Sequence, residues 1–268
     1  MTEGLLDAIV AGARRAAAER QQVADRAMLE RRIALRGPRG AAFEASLREP
    51  GLRVIAECKR RSPSRGVLCR HYDPAAVAAG YEANGAAAIS VLTEPSFFDG
   101  ALDHLAAARA SVSVPLLRKD FIVTEYQLVE AAAAGADAAL LIVAALDDKT
   151  LARLLAVAKA MGLAVLVEVH DRAELVRAVA VGTAVVGVNS RNLRTLHVDT
   201  SVLDDLGPLI PRDIIAVAES GLKTSGDLIR LRQAGYRAFL IGERFMVEPD
   251  PGLALGRMRN EVERPWHS

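Results

Sequence analysis

NGAAAIS (84–90), AGADAAL (134–140), VGTAVVG (181–187) and AGYRAFL (234–240) repeat one grammar. Each joins the end of a helical segment to a glycine, a small residue and an apolar run. Glycine just past a helix supplies the left-handed residue that turns the chain. Short aliphatic runs bounded by such turns read as buried strands. Eight such runs occur, at 54–58, 88–92, 115–117, 138–143, 164–169, 185–188, 214–218 and 238–241. Ala/Leu-rich helical segments follow them, near 74–83, 101–110, 124–134, 147–161, 171–181, 201–206, 224–234 and 250–260. Asp73 before Pro74, Thr124 with Gln127, Asp147, Asp171 with Glu174, and Thr224 with Asp227 have N-cap chemistry. Gly85, Gly135, Gly162, Gly182 and Gly235 close helices.

Strands that are apolar almost throughout belong to parallel sheets covered by helices, so the chain reads as α/β. Eight strand–helix units are the number that closes a (β/α)8 TIM barrel, and ~250 residues is typical of that fold. A doubly wound open sheet is the alternative, but no GxGxxG fingerprint follows the first strand. Residues 3 to about 35 stand outside the eightfold count. Leu5, Ile9, Ala13, Ala16 and Val23 recur there near helical spacing, and a second short helix is expected from Ala42 to Leu47. The expected organisation is one domain, with a helical extension at 1–50 packed on a barrel at 51–268. The extension could plug the barrel bottom, or serve as a lid or partner surface.

Composition narrows the function. Basic and acidic residues number 34 and 33, a net charge of +1, which gives no electrostatic footprint for nucleic acid. The 51% hydrophobic content permits a large core. No apolar run reaches the ~18 residues of a membrane span, and Asp7 and the charges from Arg14 onward break any leader-like segment. Cys58 and Cys69 form no CxxC pair, so reduced thiols in a cytoplasmic protein are expected. His71, His104, His170, His197 and His267 show no metal-like spacing, and no metal is expected.

The first strand is the odd one. In VIAECKRRSPSRG (54–66), Val54, Ala56 and Cys58 share one face while Glu57 and Lys59 share the other. Charges are rarely buried unless paired. In barrels of this kind the reactive groups sit at the C-terminal strand ends and in the loops beyond. Polar residues recur at those places: Glu57, Lys59 and Ser62; Lys119; Glu168, opposite in parity to Val165, Val167 and Val169; Asn189 and Arg191; and Glu219. Any one Lys–Glu pair could be structural, but a core built from the seven that converge, Glu57, Lys59, Lys119, Glu168, Asn189, Arg191 and Glu219, would be costly. Ser220–Gly221 and Gly242 fall after strands seven and eight, where backbone N–H groups commonly hold phosphate. Phe98 is a candidate apolar wall for a ring.

These segments resemble the indole-3-glycerol-phosphate synthase family of tryptophan biosynthesis. The resemblance rests on VIAECKRRSPSRG, ISVLTEPSFFDG (89–100), PLLRKDFIV (115–123), ADAALLIVAAL (136–146), AVLVEVHD (164–171), VGVNSRNLRT (186–195), VAESGL (217–222) and AFLIGERFM (238–246). It implies a cofactor-free carboxy-lyase acting on 1-(2-carboxyphenylamino)-1-deoxyribulose 5-phosphate. Lys119 matches the family's principal acid, Glu168 its base and Lys59 its second lysine. Glu57, Asn189 and Glu219 match orienting positions, and Arg191 matches a contact to the substrate's anionic groups. Ser62, Ser220, Gly221 and Gly242 match the phosphate end, and Phe98 the apolar wall. Arg65 and Glu243 stand where many relatives carry Lys and some carry Ser. A phosphosugar isomerase on a similar barrel is the rival reading, against which Glu57, Lys59 and Lys119 argue; a non-catalytic binding paralogue is a third, against which the presence of every catalytic residue type argues. The expected partner is this small phosphorylated substrate, with no nucleic acid or membrane. A monomer is expected, with a weak dimer as the alternative.

Overall fold

The computed structural model describes residues 4–263; His267, the ends of the chain and the side chain of Leu5 lie outside the described residues. Eight parallel strands close into a barrel: β1 (Arg53–Cys58), β2 (Ala88–Leu92), β3 (Leu116–Lys119), β4 (Ala138–Ile142), β5 (Ala164–Val169), β6 (Val185–Asn189), β7 (Ile215–Glu219) and β8 (Ala238–Ile241). Each pairs with the next in the chain, and β1 pairs with β8 through Arg53–Ala238 to Ala56–Ile241.

Alternation along the strands sorts the core into two bodies. Val54, Ala56, Val165, Val167, Val186 and Val188 face outward and pack with the helices. Ile55, Leu117, Leu140, Leu166, Val185, Ile215 and Leu240 face inward and fill the barrel. The outer layer comprises α4 (Pro74–Ala83), α5 (Leu102–Ser111), α6 (Glu125–Ala133), α7 (Asp148–Ala160), α8 (Arg172–Ala180), α9 (Ser201–Leu206), α10 (Ser225–Gln233) and α11 (Pro251–Glu263). Asp73, Thr124, Asp147, Asp171 and Thr224 accept backbone N–H groups at their helix starts, as their chemistry suggested. Among the described residues no helix is long and apolar enough to cross a membrane.

The N-terminal segment is three helices: α1 (Leu5–Val23), α2 (Arg26–Leu35) and α3 (Gly40–Arg48). The expected continuous helix to residue 35 is broken at Ala24–Asp25 because Asp25 is extended and its side chain caps α2 at Met28 N. The extension packs on the barrel at two places. α3 closes the barrel bottom: Phe43 and Leu47 are fully buried with the interior strand residues, and Gly40 N donates to Gly162 O at 2.9 Å. A Cβ on Gly40 would lie 2.4 Å from Ala164 N, so only glycine permits this approach. α1 instead brings Ile9 to the upper rim, beside Phe97, Phe98 and Phe121. Between them, α2 runs along α6.

Phe43→Ala should therefore destabilise the fold by about 3–5 kcal/mol, the range for emptying a buried phenylalanine site. A urea-denaturation midpoint near that of the unsubstituted protein would show that α3 is not part of the core.

Candidate active site

The inward parity of the strands decides what reaches the barrel mouth. Glu57 follows Ile55 on β1, Lys119 follows Leu117 on β3, Glu168 follows Leu166 on β5 and Glu219 follows Val217 on β7. Alternate strands supply the layers of a barrel interior, and here the uppermost layer from the odd strands is charged. Lys119 Nζ donates to Glu168 Oε2 at 2.9 Å and to Glu219 Oε2 at 2.8 Å. Lys59 Nζ pairs with Glu57 Oε1 at 2.5 Å. Asn189 Nδ2 donates to Glu168 Oε1 at 3.1 Å, and Asn189 Oδ1 accepts Arg191 N at 2.9 Å.

Two glycines on even strands or their ends make room for this layer. A Cβ on Gly187 would lie 2.0 Å from Glu219 Oε1, and one on Gly242 would lie 2.4 Å from Glu57 Oε1. These are space requirements that sequence reasoning missed, although Gly187 stands out in an otherwise aliphatic strand. Ser220 (φ +65°) and Gly221 (φ +71°) turn the chain just past β7. A left-handed serine is an uncommon, strained conformation for a residue with a side chain. Ser190 Oγ holds it by donating to Ser220 O at 3.1 Å.

The charges settle one another. Burial opposes the Lys119 ammonium, but Glu168, Glu219 and Glu57 outweigh it and hold the group well above the ordinary lysine range. Burial likewise disfavours ionised Glu168, yet Lys119 and His170 keep it below the ordinary carboxylate range. Glu219 goes the other way: burial, against the pull of Lys119 and with repulsion from Glu168 and Glu57, pushes it above that range. One lysine cannot fully compensate two carboxylates, so the pair titrates in separated steps.

These groups open into a cavity of about 680 Å³ lined also by Phe98, Arg191, Ser220, Gly221 and Gly242. Of the expected site residues, Ser62 alone does not line it. Ser62 is buried in a smaller adjoining recess with Ile9, Phe97 and Phe121, and its hydroxyl accepts Arg65 N at 3.2 Å, bracing a short hairpin. Glu243 also lines the cavity, pairing with Arg65 at 3.0 Å and lying 3.6 Å from Arg191. Cys58 faces the outer core, fully buried, and burial pushes its thiol up.

The model of the family described as indole-3-glycerol phosphate synthase matches residues 6–258. The chain belongs to that family. An indole-3-glycerol phosphate synthase from Streptomyces griseus is 50% identical over 251 residues, covering 94% of this chain and 93% of the relative. One from a Nocardioides species is 51% identical over 254 residues, covering 95% and 97%. Among solved structures, a thiamine phosphate pyrophosphorylase from Pyrococcus furiosus aligns with a TM-score of 0.59 at 16% identity, over 80% of this chain and 98% of its own. An N-acetylmannosamine-6-phosphate 2-epimerase from Clostridium perfringens aligns with a TM-score of 0.56 at 14% identity, over 78% and 93%. These two structures share the barrel fold; the synthase family is established by the sequence relatives.

In this member of the synthase family, sequence reasoning also passed over His170. Its ring lies against Glu168, and the available signal was spacing, since His170 follows Glu168 by two residues just past the end of β5.

The charge layer makes a spectroscopic prediction. Infrared titration should show a carboxylic acid that stays protonated at about pH 5.5, above the ~4.3 of an ordinary glutamate. Glu219→Gln should remove that band. Its persistence in the variant would assign the raised carboxyl elsewhere.

Proposed function

We propose that the chain closes the indole ring of indole-3-glycerol phosphate from 1-(2-carboxyphenylamino)-1-deoxyribulose 5-phosphate, releasing carbon dioxide and water. The observation that carries this reading is the Lys119 ammonium held between two buried carboxylates at the floor of a large cavity. Ring closure needs an aromatic carbon to attack a ketone, and charge then develops on the ketone oxygen. Lys119 is the acid that protonates that oxygen. The ring carboxylate leaves as carbon dioxide. Departure of the new hydroxyl as water needs a further proton on the oxygen and removal of one from the ring system. Glu168 takes the ring proton, and Lys59, charge-paired with Glu57, donates to the departing oxygen or holds the substrate's negative charge.

Glu57, Asn189 and Glu219 orient these groups through the contacts described above. Arg191 faces the substrate's anionic groups. Backbone donors at Ser220, Gly221 and Gly242 hold the phosphate, with Ser62 bracing the loop nearby, and Phe98 forms the wall beside the anthranilate ring. No step of this scheme draws on a metal or organic cofactor. The free cysteines Cys58 and Cys69 suit a cytoplasmic enzyme.

Incubation of the purified protein with this substrate should give rising indole fluorescence. Folded protein without turnover would reject the reading. Lys119→Ala and Glu168→Gln should each lose at least about a hundredfold in kcat, the range for a general acid or base. A near-normal rate in either would reject the role given to that residue.

A further inference from the structure

His170 stands one residue past β5, two beyond Glu168, at the top of the barrel. Its ring is mostly buried and is gripped from two sides. Nε2 lies 3.3 Å from Glu168 Oε1, an ion-pair distance without hydrogen-bond alignment. Nδ1 lies 3.0 Å from Glu174 Oε2 on α8, and the same oxygen accepts His170 N at 2.8 Å. The groups facing the ring are thus Glu168 from β5 and Glu174 from α8. Lys119 and Asn189 reach the same Glu168 carboxylate from β3 and β6.

Charge balance at the mouth leaves a place for this ring. Glu57, Glu168 and Glu219 face only two lysines, Lys59 and Lys119. Burial disfavours an imidazolium, but Glu168 and Glu174 outweigh it and carry His170 up to about 10. With Lys59 and Lys119 the ring makes three cations against four carboxylates, those of Glu57, Glu168, Glu219 and Glu174. Its importance grows during the reaction. Once Lys119 has passed its proton to the substrate oxygen, Glu168 no longer faces an ammonium. A base so deprived, and buried, would rise in pKa and lose its fixed orientation.

We propose that His170 is a positioning residue for Glu168: anchored by Glu174, it holds Glu168 Oε1 and keeps the carboxylate ionised and aimed after Lys119 has donated its proton. The proposal rests on the base role assigned to Glu168. The bland alternative is that His170 only ties the β5–α8 turn through Glu174. That alternative affects stability and leaves the ionisation of Glu168 alone.

Two measurements separate these. First, kcat is followed against pH for the unsubstituted protein, His170→Asn and Glu174→Gln. His170→Asn should fold, lose about tenfold in kcat at neutral pH, a part of the ~10²–10⁴ a positioned base contributes, and keep KM within about twofold, since the same groups still bind substrate. Its acidic limb should move up by about one unit, because removing a nearby cation raises a carboxylate pKa. Glu174→Gln should shift the limb in the same direction by less. Secondly, the imidazole NMR signals that vanish in His170→Asn should report a ring still protonated at about pH 8, well above the ~6.5 of a free histidine. In Glu168→Gln they should titrate lower. A folded His170→Asn with unchanged kcat and acidic limb overturns the proposal, as does a ring titrating in the ordinary range. Failure of the unsubstituted protein to turn over would reject the base role of Glu168. The NMR titration would then still decide whether His170 is clamped as a cation by Glu168.

Discussion

One buried ammonium organises this molecule's upper half. Lys119 Nζ reaches Glu168 on β5 and Glu219 on β7 at hydrogen-bond distance, so a single side chain ties three odd strands across the barrel interior. Neither carboxylate could stay ionised there alone, and the lysine could not stay charged without them. The two glycines follow from the same constraint. Gly187 and Gly242 stand where a side chain would strike Glu219 and Glu57, so neighbouring strands give up volume to the charge layer. Below this layer the barrel is filled with Ile, Leu and Val and plugged by Phe43 and Leu47.

Such firm pairing poses a chemical question, because an ammonium stabilised by three carboxylates is a reluctant acid. The answer lies in the acceptor. A ketone oxygen under attack becomes an alkoxide, whose basicity approaches that of hydroxide and far exceeds that of a lysine amine. In the proposed scheme, proton transfer from Lys119 is then favourable late in the step, where charge has developed, and unfavourable to the carboxylates that hold it beforehand. On that scheme the site favours the transition state over the ground state. Glu219 is pushed upward while Glu168 is pushed downward, which suits the base role proposed for Glu168.

Much of this was legible in the chain because two periodicities carry it. Eight apolar runs, four of them introduced by a helix–Gly–strand phrase, counted out eight units, and strand parity alone sent Glu57, Glu168 and Glu219 inward. The misreadings occur where function interrupts pattern. The third strand looked as if it stopped at Leu117, yet it runs on through Arg118 and Lys119. Arg118 can be buried on the outer face because Asp120, Thr93, Gln127 and Glu130 satisfy its guanidinium, partners that come from elsewhere in the fold. The sixth and seventh strands likewise extend one residue further, to Asn189 and Glu219. Polar groups at strand ends truncate an apolar run while continuing the backbone ladder. His170 escaped for a different reason: its partners, Glu168 and Glu174, belong to a strand end and the following helix, and local composition does not reveal that they converge on one ring. The space required of Gly242 is a contact between β1 and the end of β8, which only closure of the barrel creates.

The ionisation of Lys119 tests the central claim most directly. In protein labelled with ¹⁵N at lysine Nζ, the resonance lost in Lys119→Ala identifies the group. It should remain an ammonium above the ~10.4 of an ordinary lysine. In the Glu168→Gln/Glu219→Gln double variant it should titrate below that value, because burial is then no longer outweighed. An ordinary titration in the unsubstituted protein, or no change in the double variant, would contradict a site built on one lysine between two glutamates.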